Sequence, residues 1–221
     1  MTAQIHSPDQ TATLIRPRLF YSSGSPYARI CRMAIREREL TNAVEEIETT
    51  LRDPRASVLP FSPAGRVPAL TLPDGPTLTE TTLVLGWLDR QGEAPAVLPV
   101  EDQSVSAYGR VLGLLDGIAV WNRELRRPVN ERSPSVIALE QVRASRIADA
   151  LEEDVAKGAY REMSGHHVDA GYLTLAAVLG YAERRHTVWD WRTGRPALID
   201  WFERASQRPA FADTLPPPSG I

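Results

Sequence analysis

Gly65-Arg66-Val67-Pro68-Ala69-Leu70-Thr71-Leu72-Pro73-Asp74-Gly75-Pro76-Thr77-Leu78-Thr79-Glu80-Thr81 is the stretch that decides the fold. Two short apolar runs, 67–72 and 77–79, flank a Pro73-Asp74-Gly75 turn, which is a hairpin signal because Pro presets the first turn dihedral and Gly accepts positive φ. Pro68 has no ladder donor, so it belongs on an edge strand or at a special bond, and Val67-Pro68 is a candidate cis peptide. Glu80 and Thr81 open a helix (Leu83, Leu85, Trp87, Leu88), with Thr79 as its expected cap. Free backbone on an edge strand beside a helix N-terminus suits a small peptide-like anion.

Working outward, the N-terminal half reads as β-α-β-(α)-β-β-α. A buried strand is expected at 18–22 (Leu19, Phe20, Tyr21), followed by the turn Ser22-Ser23-Gly24-Ser25-Pro26. Ser25 is placed to cap a helix with Pro26 at its first position. That helix runs to about Glu39 with Tyr27, Ile30, Cys31, Ala34 and Ile35 at core spacing. A second strand is expected at 43–49, and the crossover makes the first two strands parallel. Pro54, Pro60 and Pro63 limit 52–64 to loops and at most a short helix.

Beyond a Gly/Pro-rich linker at 92–100, everything is helical in period. Helices are expected at 101–127, from Ser133-Pro134 to about 157, at 170–186 and at 196–206; the third is nearly all apolar and therefore central. Residues 1–16 read as a disordered arm, leaving 17–91 as one domain and 101–221 as a second.

Bulk properties narrow the function classes. The 221 residues are 43% hydrophobic, enough for real cores, and the net charge of −3 does not invite nucleic acid or an anionic membrane surface. No apolar run approaches the roughly 18 residues of a membrane span. Residues 1–13 are polar and contain Pro8 and Asp9, so no signal peptide and a cytoplasmic location are expected. A single cysteine, Cys31, excludes an internal disulfide and a thiolate metal cluster, and its core spacing makes it an inert small hydrophobe. His166 and His167 lack a spaced metal-binding partner, so no metal is expected; Glu152-Glu153-Asp154 reads as a solvated helix face.

Three separated elements then line up: Ser25-Pro26-Tyr27-Ala28-Arg29 at a strand-to-helix bend, Pro63-Ala64-Gly65-Arg66-Val67-Pro68-Ala69-Leu70 before the hairpin, and Thr79-Glu80-Thr81 after it. With Gly194-Arg195-Pro196-Ala197-Leu198 and Gln207-Arg208-Pro209-Ala210-Phe211 in the helical half, the chain resembles the cytosolic glutathione S-transferases, particularly bacterial members. The resemblance covers all but the first sixteen residues. It implies a thioredoxin-like N-terminal domain (βαβ-ββα), an all-helical C-terminal domain and a homodimer. Glutathione is the implied co-substrate: Val67 before Pro68 would pair with its cysteinyl part, Glu80 and Thr81 would hold its γ-glutamyl amine and carboxylate, and Arg66 would meet its glycine carboxylate.

The implied chemistry is activation of a thiol. A thiol of pKa about 8.5 is only about 3% thiolate at neutral pH, and lowering that value by two units is worth about 2.7 kcal/mol. A hydroxyl at a helix N-terminus is a suitable donor to the sulfur. Ser25 stands where related classes carry their active residue, Ser22 and Ser23 are the alternatives, and the plain reading is that Ser25 only caps its helix. With no cysteine at 25, a mixed protein–glutathione disulfide there is excluded.

A small hydrophobic electrophile is expected between the domains, near Tyr27, Tyr108, Leu115, Trp121, Asn122 and Leu125. The reading is a detoxifying transferase; a glutathione-dependent reductase or peroxidase, or a non-catalytic binding protein of the same fold, are the alternatives. One departure is that Thr174-Leu175-Ala176-Ala177 lacks the acid of the family's capping box, roughly 0.5–2 kcal/mol, leaving Asp169 as a cap for an earlier start.

Overall fold

The structure, a computed structural model, describes residues 16–73 and 75–219. The arm expected at 1–16 therefore lies outside the described residues except for Arg16, whose Nη1 donates to Asn42 O at 3.1 Å; Asp74 of the expected turn lies outside them too.

The first half is β1 (Arg18–Tyr21), α1 (Pro26–Glu37), β2 (Glu45–Glu48), β3 (Ala69–Thr71), β4 (Thr77–Leu78) and α2 (Thr81–Leu88). The sheet order is β2-β1-β3-β4, with β2 parallel to β1 and the other pairs antiparallel. This is the thioredoxin-like arrangement expected. Residues 52–64 form turns without a helix. The Val67-Pro68 bond is cis. β3 is not an edge strand, however: β1 and β4 flank it, and Pro68 avoids the ladder by preceding β3.

The second half is α3 (Asp102–Leu125), α4 (Pro134–Ala156), α5 (Ala170–Arg185), α6 (Pro196–Ser206) and α7 (Pro209–Ala212), a short helix inside what reads as a Pro-rich tail. Local chemistry sets the starts. Ser25 Oγ accepts from Ala28 N at 3.2 Å, Ser133 Oγ from Val136 N at 3.4 Å and Asp169 Oδ1 from Tyr172 N at 2.8 Å. The missing acid at 177 thus matters little, because α5 starts four residues before Thr174 on its own aspartate cap. Glu152 does more than face solvent: it accepts from Ala197 N at 2.9 Å and Leu198 N at 2.7 Å, capping α6 from another helix. α5 is central as expected, with Ala170 through Ala182 all buried.

Two buried arginines of α1 join the halves. Arg29 crosses α5 at Gly180, donates to Thr214 Oγ1 at 3.2 Å and Phe211 O at 3.0 Å, and stacks 4.1 Å from the Phe211 ring centroid. Arg38 donates to Leu88 O at 3.1 Å, Ala94 O at 2.7 Å and Gln91 O at 2.6 Å, and also to Pro95 O, fastening the start of the linker. Its side chain is 1% exposed. Truncation would leave several carbonyls unpaired, so Arg38→Ala is expected to cost about 3 kcal/mol in urea unfolding. An unchanged midpoint and slope would refute that role.

Candidate active site

The site is set by where two helices start. α1 begins at Pro26, so Ser25 and the free amides of its first turn face the gap between α1 and α3. Ser25 Oγ accepts from Ala28 N and its own O–H donates to no group among the described residues. Capping the helix therefore leaves the proton available, and the two readings of Ser25 are compatible. Ser23 is turned to the sheet edge, its N–H donating to Glu48 Oε1 at 3.1 Å, and Ser22 O accepts from Ser25 N at 2.9 Å.

α2 begins at Thr81 without a side-chain cap; its N-cap residue is Glu80, not Thr79. The Thr81 hydroxyl is buried and has no hydrogen-bond partner, and the amides of Thr81 and Thr82 make none among the described residues. An uncapped helix start beside an orphaned hydroxyl is a place for a carboxylate. The backbone of Val67 is also unengaged.

These elements border one cleft of about 370 Å³. The first half contributes Ser25, Pro26, Tyr27, Arg66, Val67, Pro68, Thr79 and Glu80, and α3 contributes Asp116, Ala119, Asn122, Arg123 and Arg126. Two polar grooves of comparable size lie beside Tyr160, away from these residues; the cleft carrying the convergent helix starts is the site. The Tyr27 hydroxyl spans the cleft floor, donating to Asp116 Oδ1 at 2.5 Å. Burial, then that carboxylate, hold its pKa well above the ordinary tyrosine value, so Tyr27 stays protonated at neutral pH.

Residues 24–91 match the family described as "Glutathione S-transferase, N-terminal domain". Over 204 residues, 90% of this chain and 98% of the relative, the sequence is 26% identical to the uncharacterized GST-like protein YibF of Escherichia coli K12. The chain belongs to the glutathione S-transferase family. Solved relatives extend the likeness to both halves. A glutathione S-transferase from Methylobacillus flagellatus, with glutathione bound, is 26% identical with a TM-score of 0.79, covering 92% of this chain and 100% of its own. A glutathione transferase family member from Pseudomonas fluorescens Pf-5, also with bound glutathione, is 26% identical with a TM-score of 0.81, covering 91% and 99%.

This transferase-family fold brings together most residues singled out from the sequence, but not all. Arg66, Val67, Pro68, Glu80, Ser25, Tyr27 and Asn122 line the cleft, and Thr81 lies next to Glu80. Tyr108, Leu115 and Trp121 do not: they are buried in the core, Tyr108 with its hydroxyl 3.0 Å from Thr82 Oγ1. Leu125 packs half-buried against the same core. Cys31 is wholly buried, and burial pushes its thiol pKa upward, away from reactivity. Asp116, Arg123 and Arg126 are the cleft residues that sequence reasoning missed. Among the described residues, no group of three or more His, Cys, Asp or Glu is placed to hold a metal.

Asn122 is held from behind. Its Nδ2 donates to Arg185 O at 3.1 Å and lies 3.3 Å from His186 Nδ1, while His186 meets the Trp121 ring edge-on at 4.4 Å. Burial, then the Arg126 charge, push the His186 pKa down to about 4 from 6.5. The fold thus favours neutral His186, a preference fully present above pH 6.5 and lost as pH falls toward 4. Unfolding measured across that window is expected to show a loss on the order of 3 kcal/mol, absent in His186→Leu. A wild-type profile no steeper than the variant's would refute it.

Proposed function

We propose that this protein binds glutathione in the cleft and uses it as a thiol nucleophile against a small electrophile. The observation that carries the reading is the uncapped start of α2, where the buried Thr81 hydroxyl has no partner and the Glu80 carboxylate stands beside it. A γ-glutamyl group presents a carboxylate and an ammonium together. The helix start and Thr81 suit the carboxylate, and Glu80 suits the ammonium. The free backbone of Val67 suits the cysteinyl amide, and the exposed Arg66 suits the glycine carboxylate.

This placement leads the sulfur toward Ser25. The Ser25 O–H donates to the thiolate while Oγ keeps its bond from Ala28 N, and the positive end of α1 lowers the thiol pKa further. The thiolate then forms a carbon–sulfur bond as the leaving group departs with its electron pair. Ser22 and Ser23 are less suited, since neither lines the cleft. A reductase or peroxidase role is the second reading, with the exchanging sulfurs supplied by glutathione molecules, because Cys31 is sealed in the core.

The family resemblance also implies a homodimer, cytoplasmic location and a role in detoxification. Exposed Leu51 and Phe61 in the first half and Leu139 and Val142 on α4 supply apolar surface for a second copy. No helix among the described residues is long and apolar enough to cross a membrane.

Ser25→Ala is expected to raise the pKa of bound glutathione by about 1–2 units, followed by thiolate absorbance, and to cut turnover with an aryl halide about 10–100-fold. Glutathione affinity should stay nearly constant. An unchanged thiol pKa would remove Ser25 from the chemistry. Glu80→Gln, in contrast, is expected to weaken glutathione binding about tenfold in calorimetry, with little effect on the bound thiol's pKa.

A further inference from the structure

The α3 wall of the cleft carries charge that no group in the protein uses. Arg123 and Arg126 are both exposed into the cleft, three residues apart on one face of the helix. Neither forms an ion pair or a side-chain hydrogen bond among the described residues. Most other arginines of this protein are engaged: Arg32 with Glu46, Arg195 with Asp149, Arg208 with Glu37 and Glu162. Arg126 is not needed to finish α3 either, since Arg132 Nη2 already donates to Leu125 O at 2.6 Å.

The nearby acids are committed. Asp116 accepts the Tyr27 hydroxyl, and Glu80 stands on the opposite wall at the start of α2. The aromatic and aliphatic residues expected to form an apolar pocket, Tyr108, Leu115 and Trp121, are buried behind this wall, leaving Ala119 as its apolar contribution between Asp116 and the arginines. A wall of this kind is poorly matched to a purely hydrophobic molecule. Two adjacent guanidinium groups at a cleft mouth match a carboxylate or a comparable anion, which they can hold with charge-assisted bonds.

We infer that the second substrate is an anionic electrophile, its reactive carbon directed at the glutathione sulfur and its carboxylate held by Arg123 and Arg126. The inference rests on the glutathione reading above and narrows it to a substrate class. It replaces the neutral hydrophobic electrophile expected from the sequence. The arginines are binding residues and take no part in bond making.

The test compares two ready-made conjugates by calorimetry on the full chain: the dinitrophenyl conjugate of glutathione, and its analogue bearing a carboxylate on the ring. The analogue is expected to bind about tenfold tighter at low salt, and Arg123→Gln and Arg126→Gln should each reduce that preference while leaving glutathione affinity unchanged. Because both residues are exposed, folding should survive these changes, which circular dichroism would check. Equal affinity for the two conjugates in the native protein would overturn the inference while leaving glutathione binding intact. It would also be overturned if the variants weakened glutathione and both conjugates by the same factor, which would assign the arginines to glutathione itself. Failure of glutathione and both conjugates to bind would instead overturn the reading on which the inference rests.

Discussion

Everything at the site depends on how α1 is held, and Arg29 is the residue that holds it. Its guanidinium passes over α5 where Gly180 leaves room, and ends between Phe211 and Thr214 of the C-terminal segment. No carboxylate accompanies it, and burial pulls its pKa down to about 9, so it remains largely protonated at neutral pH. A cation kept inside a core without an acid partner is costly, and the Phe211 face and two oxygen acceptors offset part of that cost. The consequence is positional. The first half, the helical half and the chain's end meet on one side of α1, and the opening left at its N-terminus is the cleft.

Within that opening the polar groups divide by role. The α2 start is short of acceptors for its amides and for Thr81, which is the electrostatic opposite of a closed helix end. Ser25 is already satisfied as an acceptor and retains a donor. Tyr27 and Asp116 are satisfied by each other, tying α1 to α3 across the cleft. The arginines of α3 and Arg66 are unsatisfied in charge. A ligand that is anionic at several points and carries one ammonium completes this set, which is the description of glutathione joined to an anionic partner.

Much of this was legible in the sequence wherever local chemistry acts alone. Prolines and side-chain caps located the starts of α1, α4 and α6, and the apolar run of 170–182 located the central helix. Val67-Pro68 was suspect because a proline there interrupts a strand pattern, and β3 resolves the conflict by starting one residue later. The facing of α3 was not legible. That helix packs against α4, α5 and the first half, so it buries residues on more than one stripe, and Tyr108, Leu115 and Trp121 fall on the buried side. Nor could spacing reveal Asp116, whose partner Tyr27 is 89 positions away, or Glu152, which caps α6 from 45 positions away. Contacts of that separation leave no periodic trace.

The central claim is that one cleft holds glutathione with its γ-glutamyl group at the start of α2 and its sulfur at the start of α1. A crystal structure of the protein with glutathione bound tests it most directly. The expected result is a sulfur within about 3.5 Å of Ser25 Oγ and a carboxylate on the Thr81 hydroxyl and amide. Glutathione bound elsewhere, or lying in the cleft with its sulfur on Ser22 or Ser23 instead, would contradict the account.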